Sequence, residues 1–400
     1  MRRPRVAVVA DLAEERWHSM DLVAEMLMLG FRSPGARLVD PVRLRPAMVR
    51  RLTRIPGLGR LGPAQTVDRI ANRIWDYRRM LASHVDDFDL FHIVDHSYAH
   101  LASVLPNERT VVTCHDVDAF AGALPGTRAE SLAGRLLADR LLAGLQSATR
   151  IVCVSHATRD ALLDASIVAP SRVVVVPWGL HPSCTPHGDR LAEEAAEAHL
   201  GPRDPQRPEI LHVGSTIPRK RIDVLLDVFA SLRRRYPAAR LVRAGGPFTR
   251  SQRRQVSRLG IDDAVTVLPF LERRALAAVY RRAAVVLQPS EREGFGLPVA
   301  EAMACGTPVI ASDLAPLREV GGTMAAYCPV GDVGSWVETA SALLDERAED
   351  GPAWTARREA ALENAQRFDA VEHARRMLDV YGEILPTLPW LRVMHRAIAV

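Results

Sequence analysis

Short apolar runs recur along the first half of the chain, each ending in polar residues: Arg5–Ala10, Leu90–Val94, Thr110–Thr113, Ile151–Val154 and Val173–Val176. Runs of this length, bounded by turn residues, predict buried strands. Helical patterns lie between several of them, as at Asp21–Leu29. The second half restarts the alternation with predicted strands at Glu209–Val213, Leu241–Ala244, Val265–Leu268, Ala283–Leu287 and Val309–Ala311. Two successive strand-helix series predict an α/β protein of two parallel sheets with helices on both faces, and a ligand cleft between them. The stretch from Pro177 to Pro208 is rich in Pro, Gly, His, Asp and Ala around a short acidic helix, and reads as a linker. From Phe368 to Leu385, Val371, Ala374, Met377, Leu378 and Tyr381 make one apolar helical face. The expected division is 1–185, a linker at 186–207, a second domain at 208–366 and a C-terminal helix at 367–400.

One loop concentrates candidate chemistry. After the apolar run Ala283–Leu287, the chain reads Gln-Pro-Ser and then Glu293-Gly294-Phe295-Gly296-Leu297-Pro298-Val299-Ala300-Glu301. Pro298 suits a first helical position and Gly306 a residue just past a helix end. The prediction is strand, tight loop, short helix, with one carboxylate in the loop and another inside the helix. Loops at the C-terminal edge of a parallel sheet bind ligands, and free N–H groups at a helix start favour an anion. A phosphate-bearing ligand is the first expectation.

The second candidate is the chain's single lysine. Lys220 stands against 51 arginines, in Leu211-His212-Val213-Gly214-Ser215-Thr216-Ile217-Pro218-Arg219-Lys220. Ile222, Leu225, Leu226, Phe229 and Leu232 follow at helical spacing, so Lys220 sits in a strand-loop-helix unit. A compact ammonium there can neutralise a diphosphate where the wider guanidinium fork fits less well. A surface lysine that merely survived the arginine bias is the bland reading.

The stretch Glu-Gly-Phe-Gly-Leu-Pro-x-x-Glu-Ala-Met-Ala-x-Gly-x-Pro-Val-Ile resembles the signature of retaining glycosyltransferase family 4, nucleotide-sugar-dependent enzymes of the GT-B fold. The resemblance spans roughly residues 110–385. It implies two Rossmann-like domains and a last helix returning to the N-terminal one. It also implies transfer of a hexose from a nucleoside diphosphate sugar to an acceptor hydroxyl with retained configuration and no metal or other cofactor. Glu293 would bind the sugar hydroxyls and Glu301 the ribose. The Gly294-Phe295-Gly296 backbone would lie on the sugar, with the helix start at Leu297 near the diphosphate. Lys220, six residues after Gly214, matches the family's phosphate-binding lysine, with Arg219 beside it. Leu268, Pro269 and Phe270 would lie near the nucleobase. His115, in Thr113-Cys114-His115-Asp116, matches a histidine near the transferred sugar. The implied catalytic set is therefore Glu293, His115 and Lys220. Members reading Pro-Arg-Lys include mannosyltransferases using guanosine diphosphate mannose, which leans the hexose to mannose. The acceptor would be a sugar or lipid-linked glycan in cell-surface glycan or glycolipid synthesis.

Two departures from the family pattern stand out. Ser215, which the resemblance places with Gly214 among the donor-binding residues, occupies a position where many members carry arginine. Trp17-His18-Ser19-Met20 replaces a glycine pair in the first loop. They keep open a second class of reading, a catalytically weak nucleotide-sugar-binding or scaffold subunit. Asp116-x-Asp118 raises a rival enzyme class, the metal-dependent GT-A glycosyltransferases. Asp95-His96-Ser97-Tyr98 either lines an acceptor site or caps a helix through Asp95 or Ser97.

Composition changes the picture in two places. Five cysteines, odd in number and without metal-ligand spacing, indicate neither a disulfide framework nor a zinc site. With no apolar run long enough to span a bilayer and no signal h-region after the basic N-terminus, a cytoplasmic protein is expected. The net charge of +5 is uneven, because residues 42–79 hold ten arginines and two aspartates. That block, with Trp75 among its apolar residues, predicts either an anionic-membrane surface on the inner face or a solvated helix pair. Nucleic acid is not expected, since no recognition motif accompanies the charge. No G-x-G-x-x-G follows any strand, which disfavours a nicotinamide dehydrogenase.

Overall fold

The computed structural model describes residues 2–15, 17–57, 62–123 and 132–385. Among them, twelve strands form two sheets of six, and every strand pair is parallel. The first sheet holds β1 (Arg5–Val9), β2 (Asp40–Leu44), β3 (Leu90–Ile93), β4 (Thr110–Cys114), β5 (Arg150–Cys153) and β6 (Val173–Val175), in the order β2-β1-β3-β4-β5-β6. The second holds β7 (Glu209–Val213), β8 (Arg240–Ala244), β9 (Val265–Val267), β10 (Val285–Gln288), β11 (Val309–Ser312) and β12 (Ala326–Cys328), in the order β12-β11-β10-β7-β8-β9. Each is a Rossmann-like doubly wound sheet, and together they make the expected GT-B fold.

The two strands absent from the sequence pattern are informative. Asp40–Leu44 carries a proline and an arginine, and Ala326–Cys328 is three residues long. Both lie at sheet edges, where one ladder is unfilled and a proline is tolerated. Neither needs a continuous apolar run, so hydrophobic patterning does not mark them.

The chain divides into two compact units. The first comprises Met1–Gly179 with Ala370–Val400, and the second Leu180–Asp369. The chain therefore changes unit before 186–207, and that stretch is part of the second unit rather than a connector. Asp189 caps the helix Arg190–Leu200 by accepting from the amides of Leu191 and Ala192. This helix packs on the helix Arg273–Arg282, and Arg281 binds Glu193 at 2.8 Å. A polar, proline-rich composition suggested a linker, but Ala192, Ala196 and Leu200 give it a buried face.

The C-terminal helix Ala370–Ile384 belongs to the first unit and packs along the helix His18–Arg32. Ala374, Met377, Leu378 and Tyr381 are buried. Its polar anchors are as specific as its apolar face. The Tyr381 hydroxyl lies 2.7 Å from His92 Nδ1, and His92 Nε2 lies 2.7 Å from Thr113 Oγ1. Burial holds the imidazole of His92 down to about 3, so it is neutral and bridges the helix to β3 and β4. His373 Nδ1 donates to the Pro177 carbonyl at 2.7 Å.

Tyr381→Phe removes one partner of a fully buried ring nitrogen. The expected cost is about 1–3 kcal/mol, seen as a lower urea midpoint at unchanged m-value. An unmoved midpoint would show that His92 finds another partner.

Candidate functional site

In the second sheet the chain order reverses beside β7, whose neighbours are β8 and β10. The loops leaving β7 and β10 therefore diverge from one point at the C-terminal edge, the place where open α/β sheets bind ligands. Lys220 closes a single turn, Pro218–Lys220, in the first loop. Glu293 stands in the second. The Lys220 ammonium donates to Glu293 Oε1 at 2.5 Å, and Arg219 Nη1 lies 3.4 Å from Glu293 Oε2. The loops are also joined through backbone, with the Glu291 N–H donating to the Arg219 carbonyl at 2.7 Å.

The Glu293 side chain is 7% exposed. Ser290 Oγ donates to its Oε1 at 2.7 Å and Gln288 Nε2 at 3.0 Å. Burial alone would push this carboxyl up, but Lys220, Arg219 and Ser290 outweigh burial and hold it below the ordinary carboxylate range. Gln288 and Ser290 are site residues that the sequence reading passed over. Their one signal was a pair of polar residues closing an otherwise apolar strand.

Glu301 has a different environment. It is buried inside the helix Leu297–Ala304, and its Oε2 accepts from the Tyr280 hydroxyl at 2.8 Å. Burial raises its carboxyl, and neither Arg273 nor Tyr280 reverses the direction. The turn into this helix passes through Gly296 at φ +102°, where a Cβ would stand 2.4 Å from a Leu317 methyl. Only glycine accommodates both conditions. Phe295 is buried edge-on against Phe368, with ring centroids 5.5 Å apart. Leu268 is buried at the end of β9, whereas Pro269 and Phe270 are exposed, Phe270 by 60%. Ser215 is exposed in the β7 loop.

Beneath Gly214 lie two residues that sequence reasoning missed. Arg243, near the C-terminal end of β8, is fully buried, as is His212 in β7. Their only signal was a charged or polar residue within an apolar run.

His115 belongs to the first unit, just past β4. Its Nε2 donates to the Val94 carbonyl at 2.7 Å, and its buried Nδ1 has no hydrogen-bond partner. Burial brings it down to about 4, so the ring is neutral with a free lone pair. Asp95 accepts from the Ser97 amide and hydroxyl at 2.8 and 2.6 Å, which makes it the cap of the turn that follows β3. His96 Nδ1 accepts from the His115 amide, and its Nε2 lies 3.4 Å from Asp116. Asp95, His96 and His115 place ligand-type atoms within 4.8 Å of one another. Those of Asp95 and His96 also take part in hydrogen bonds within the first unit. Asp11, missed entirely from the sequence, stands beside Asp95 because Val9 pairs with Ile93 in the adjacent strands. Burial first, and then Asp95, pushes the Asp11 carboxyl up to about 10.

The basic block is rearranged by its surroundings. Arg43 and Arg45 pair with Asp21, Arg51 pairs with Asp76, and Arg73 turns inward to Ser97 and the Tyr98 ring. Arg50, Arg54, Arg69 and Arg79 are exposed and make no ion pair among the described residues. Arg60 lies outside the described residues. Val49, Ile55, Val67, Ile70 and Trp75 are exposed in the same segment, Trp75 by 71%. Among the described residues, no helix is long and apolar enough to cross a membrane.

The Glu293 environment predicts a pH dependence with a definite sign. A carboxyl held below its ordinary value contributes stability that is fully present above the unfolded value, about 4.3, and is lost as pH falls through the folded value. The parent should therefore exceed Glu293→Gln in stability most at neutral pH, and the gap should close in acid. Urea unfolding of both proteins across that range checks it. A gap that does not change with pH would mean that Glu293 titrates like a solvated glutamate.

Comparison with known proteins agrees with this architecture. The model of "Glycosyl transferases group 1" matches residues 198–367, and that of "Glycosyltransferase Family 4" matches residues 18–183. The chain is 35% identical over 249 residues to a D-inositol 3-phosphate glycosyltransferase of Mycobacterium sp. (strain KMS), covering 60% of this chain and 54% of that protein. It is 32% identical over 270 residues to the protein of the same name from Kineococcus radiotolerans, covering 62% and 60%. The chain thus spans little more than half the length of the curated relatives it matches. Among solved structures, the sucrose-phosphate synthase of Thermosynechococcus elongatus superposes with a TM-score of 0.68 at 20% identity, over 96% of this chain and 100% of that one. HepE of Anabaena in complex with UDP-glucose superposes with a TM-score of 0.69 at 16% identity, over 95% and 100%. With both halves matched by family models, the signature loop in place and the two doubly wound sheets of the fold, the chain belongs to glycosyltransferase family 4.

Proposed function

We propose that this chain is a retaining glycosyltransferase that moves a hexose from a nucleoside diphosphate sugar to an acceptor hydroxyl. The observation that carries the reading is the meeting of Lys220, Arg219 and the buried Glu293 carboxylate where the loops of β7 and β10 diverge. The leaving diphosphate develops negative charge, and preorganised cations stabilise it without a metal ion. Lys220, Arg219 and the start of the helix at Leu297 supply that field. Glu293, kept ionised, accepts from the sugar hydroxyls along the Gly294-Phe295-Gly296 backbone. Glu301 accepts from the ribose hydroxyls, and the exposed Phe270 ring stacks on the base beside Leu268 and Pro269. His115, neutral with Nδ1 free, accepts from a hydroxyl of the transferred sugar. No side chain is proposed as a covalent nucleophile. The acceptor attacks the face that the diphosphate leaves, and a phosphate oxygen takes its proton.

The curated relatives are named for inositol phosphate, and one fold neighbour is described with UDP-glucose. UDP-glucose and GDP-mannose are therefore the first donors to test. A sugar or lipid-linked acceptor in cell-surface glycan synthesis fits the membrane surface inferred below.

Lys220→Arg is the sharpest test, with donor hydrolysis and transfer as readouts. The substitution keeps the charge, but the Lys220 stem runs close beside Gly214. The wider guanidinium displaces the leaving group, and misplacement by about 1 Å costs on the order of a hundredfold in rate. A folded variant with activity down at least about tenfold is expected. Activity like that of the parent would remove Lys220 from the phosphate site. A parent that binds nucleotide sugar but neither hydrolyses nor transfers it would favour the scaffold reading.

We also infer that Arg50, Arg54, Arg69 and Arg79, with Trp75, Val67 and Ile70, bind an anionic membrane surface. Each such cation contributes about 1 kcal/mol near anionic lipid, and an exposed indole suits the interface. Replacing the four arginines with Gln should abolish sedimentation with phosphatidylglycerol vesicles. Sedimentation that survives the change, or a parent that never sediments, would sink the inference.

A further inference from the structure

Two features of the second unit converge on the Gly214 carbonyl. Arg243 Nη2 donates to the Gly214 carbonyl at 2.8 Å, and the same guanidinium bonds the carbonyls of Gly245, at 3.3 Å, and Gly246. Gly245, at φ +126°, allows this approach, because a Cβ there would lie 2.0 Å from the Gly214 oxygen. The Gly214 amide donates to the Ala244 carbonyl at 2.9 Å. Both polar groups of Gly214 therefore point into the sheet edge.

The next amide must point the other way. A trans peptide sets its C=O and N–H antiparallel, so fixing the Gly214 oxygen inward turns the Ser215 N–H outward. That N–H has no partner among the described residues. It leaves the same loop whose Lys220 stem passes Gly214. A backbone N–H held in this way is an anion donor that needs no side chain.

We propose that the Ser215 backbone N–H is a ligand for the donor diphosphate, and that Arg243 is the positioning residue that aims it. This rests on the glycosyl-transfer reading and deepens it. Where many family members place an arginine side chain, this chain presents an amide, and its buried cation works from behind the loop. Arg243 does not touch the phosphate. Phe248 lies over the guanidinium, 5.2 Å from its centre to the ring, and closes that side. His212, buried under Gly214, is kept neutral by burial and then by the cations Arg243 and Lys220. It therefore adds no competing charge.

Inorganic pyrophosphate is the probe, titrated into the isotope-labelled full chain and followed by amide NMR. The Ser215 amide proton should move downfield on binding. Ser215→Ala, which keeps the amide, should bind pyrophosphate like the parent. Arg243→Lys should weaken pyrophosphate by about tenfold or more, the scale of one charge-assisted hydrogen bond, while binding of uridine and guanosine is unchanged. Gly245→Ala displaces the same carbonyl with Arg243 intact and should show the same split. It also serves if the arginine variant does not fold. Three results would overturn the proposal: a Ser215 amide unmoved in a parent that binds pyrophosphate, full affinity in both positioning variants, or a loss in Ser215→Ala equal to theirs. A parent that binds neither pyrophosphate nor UDP nor GDP overturns the glycosyl-transfer reading and this inference together.

Discussion

The candidate site depends on a charge that cannot stand alone. An ionised carboxylate taken out of water costs several kcal/mol unless it is paired and hydrogen-bonded. Glu293 is nearly buried, and its neighbours answer that cost: Lys220 and Ser290 on Oε1 with Gln288, and Arg219 on Oε2. The pair is 73 residues apart in sequence. Holding it together fixes the loops of β7 and β10 against each other, and with them the entry to the helix Leu297–Ala304. A ligand phosphate that draws on Lys220 therefore acts on a carboxylate already in place.

Sheet topology explains why these groups meet. In both units the first strand has its sequence successor on one side and a later strand on the other. The loops on either side of that reversal leave a gap at the C-terminal edge. In the second unit it holds Lys220 and Glu293. In the first it holds Asp11 and Asp95, whose carboxyls lie together with Asp11 pushed towards the neutral acid. The two gaps differ in sign. One is built around cations suited to phosphate, and the other around carboxyls and the neutral His115 imidazole, suited to hydroxyl groups.

Arginine does structural as well as electrostatic work in this chain. Buried Arg243 ties three loop carbonyls, and Arg240 and Arg282 both bind the buried Glu209. Five donors in a rigid fork allow one side chain to satisfy several acceptors, which an ammonium does less well. Against that background Lys220 is a compact charge held against Glu293 on a loop at the sheet edge, rather than a brace within the core.

The sequence by itself determined the α/β alternation, most of the central strands, the amphipathic helices and the signature loop, because those depend on local periodicity and on glycine and proline placement. Ile222, Leu225, Leu226, Phe229 and Leu232, read as one face, are all buried in the helix Ile222–Arg235. The tertiary structure decided what local pattern cannot carry. The edge strands Asp40–Leu44 and Ala326–Cys328 exist because a neighbour pairs with them. The helix near residue 195 became part of a unit because another helix covers its alanines. Arg43, Arg45 and Arg51, counted in sequence as free positive charge, meet acids whose positions no spacing foretells. The residues missed altogether, Asp11, His212 and Arg243, are polar groups inside apolar surroundings. His212 stands opposite Arg243 in the adjacent strands, and Asp11 follows a strand paired with the one before Asp95, so only the register of the folded sheet brings them into view.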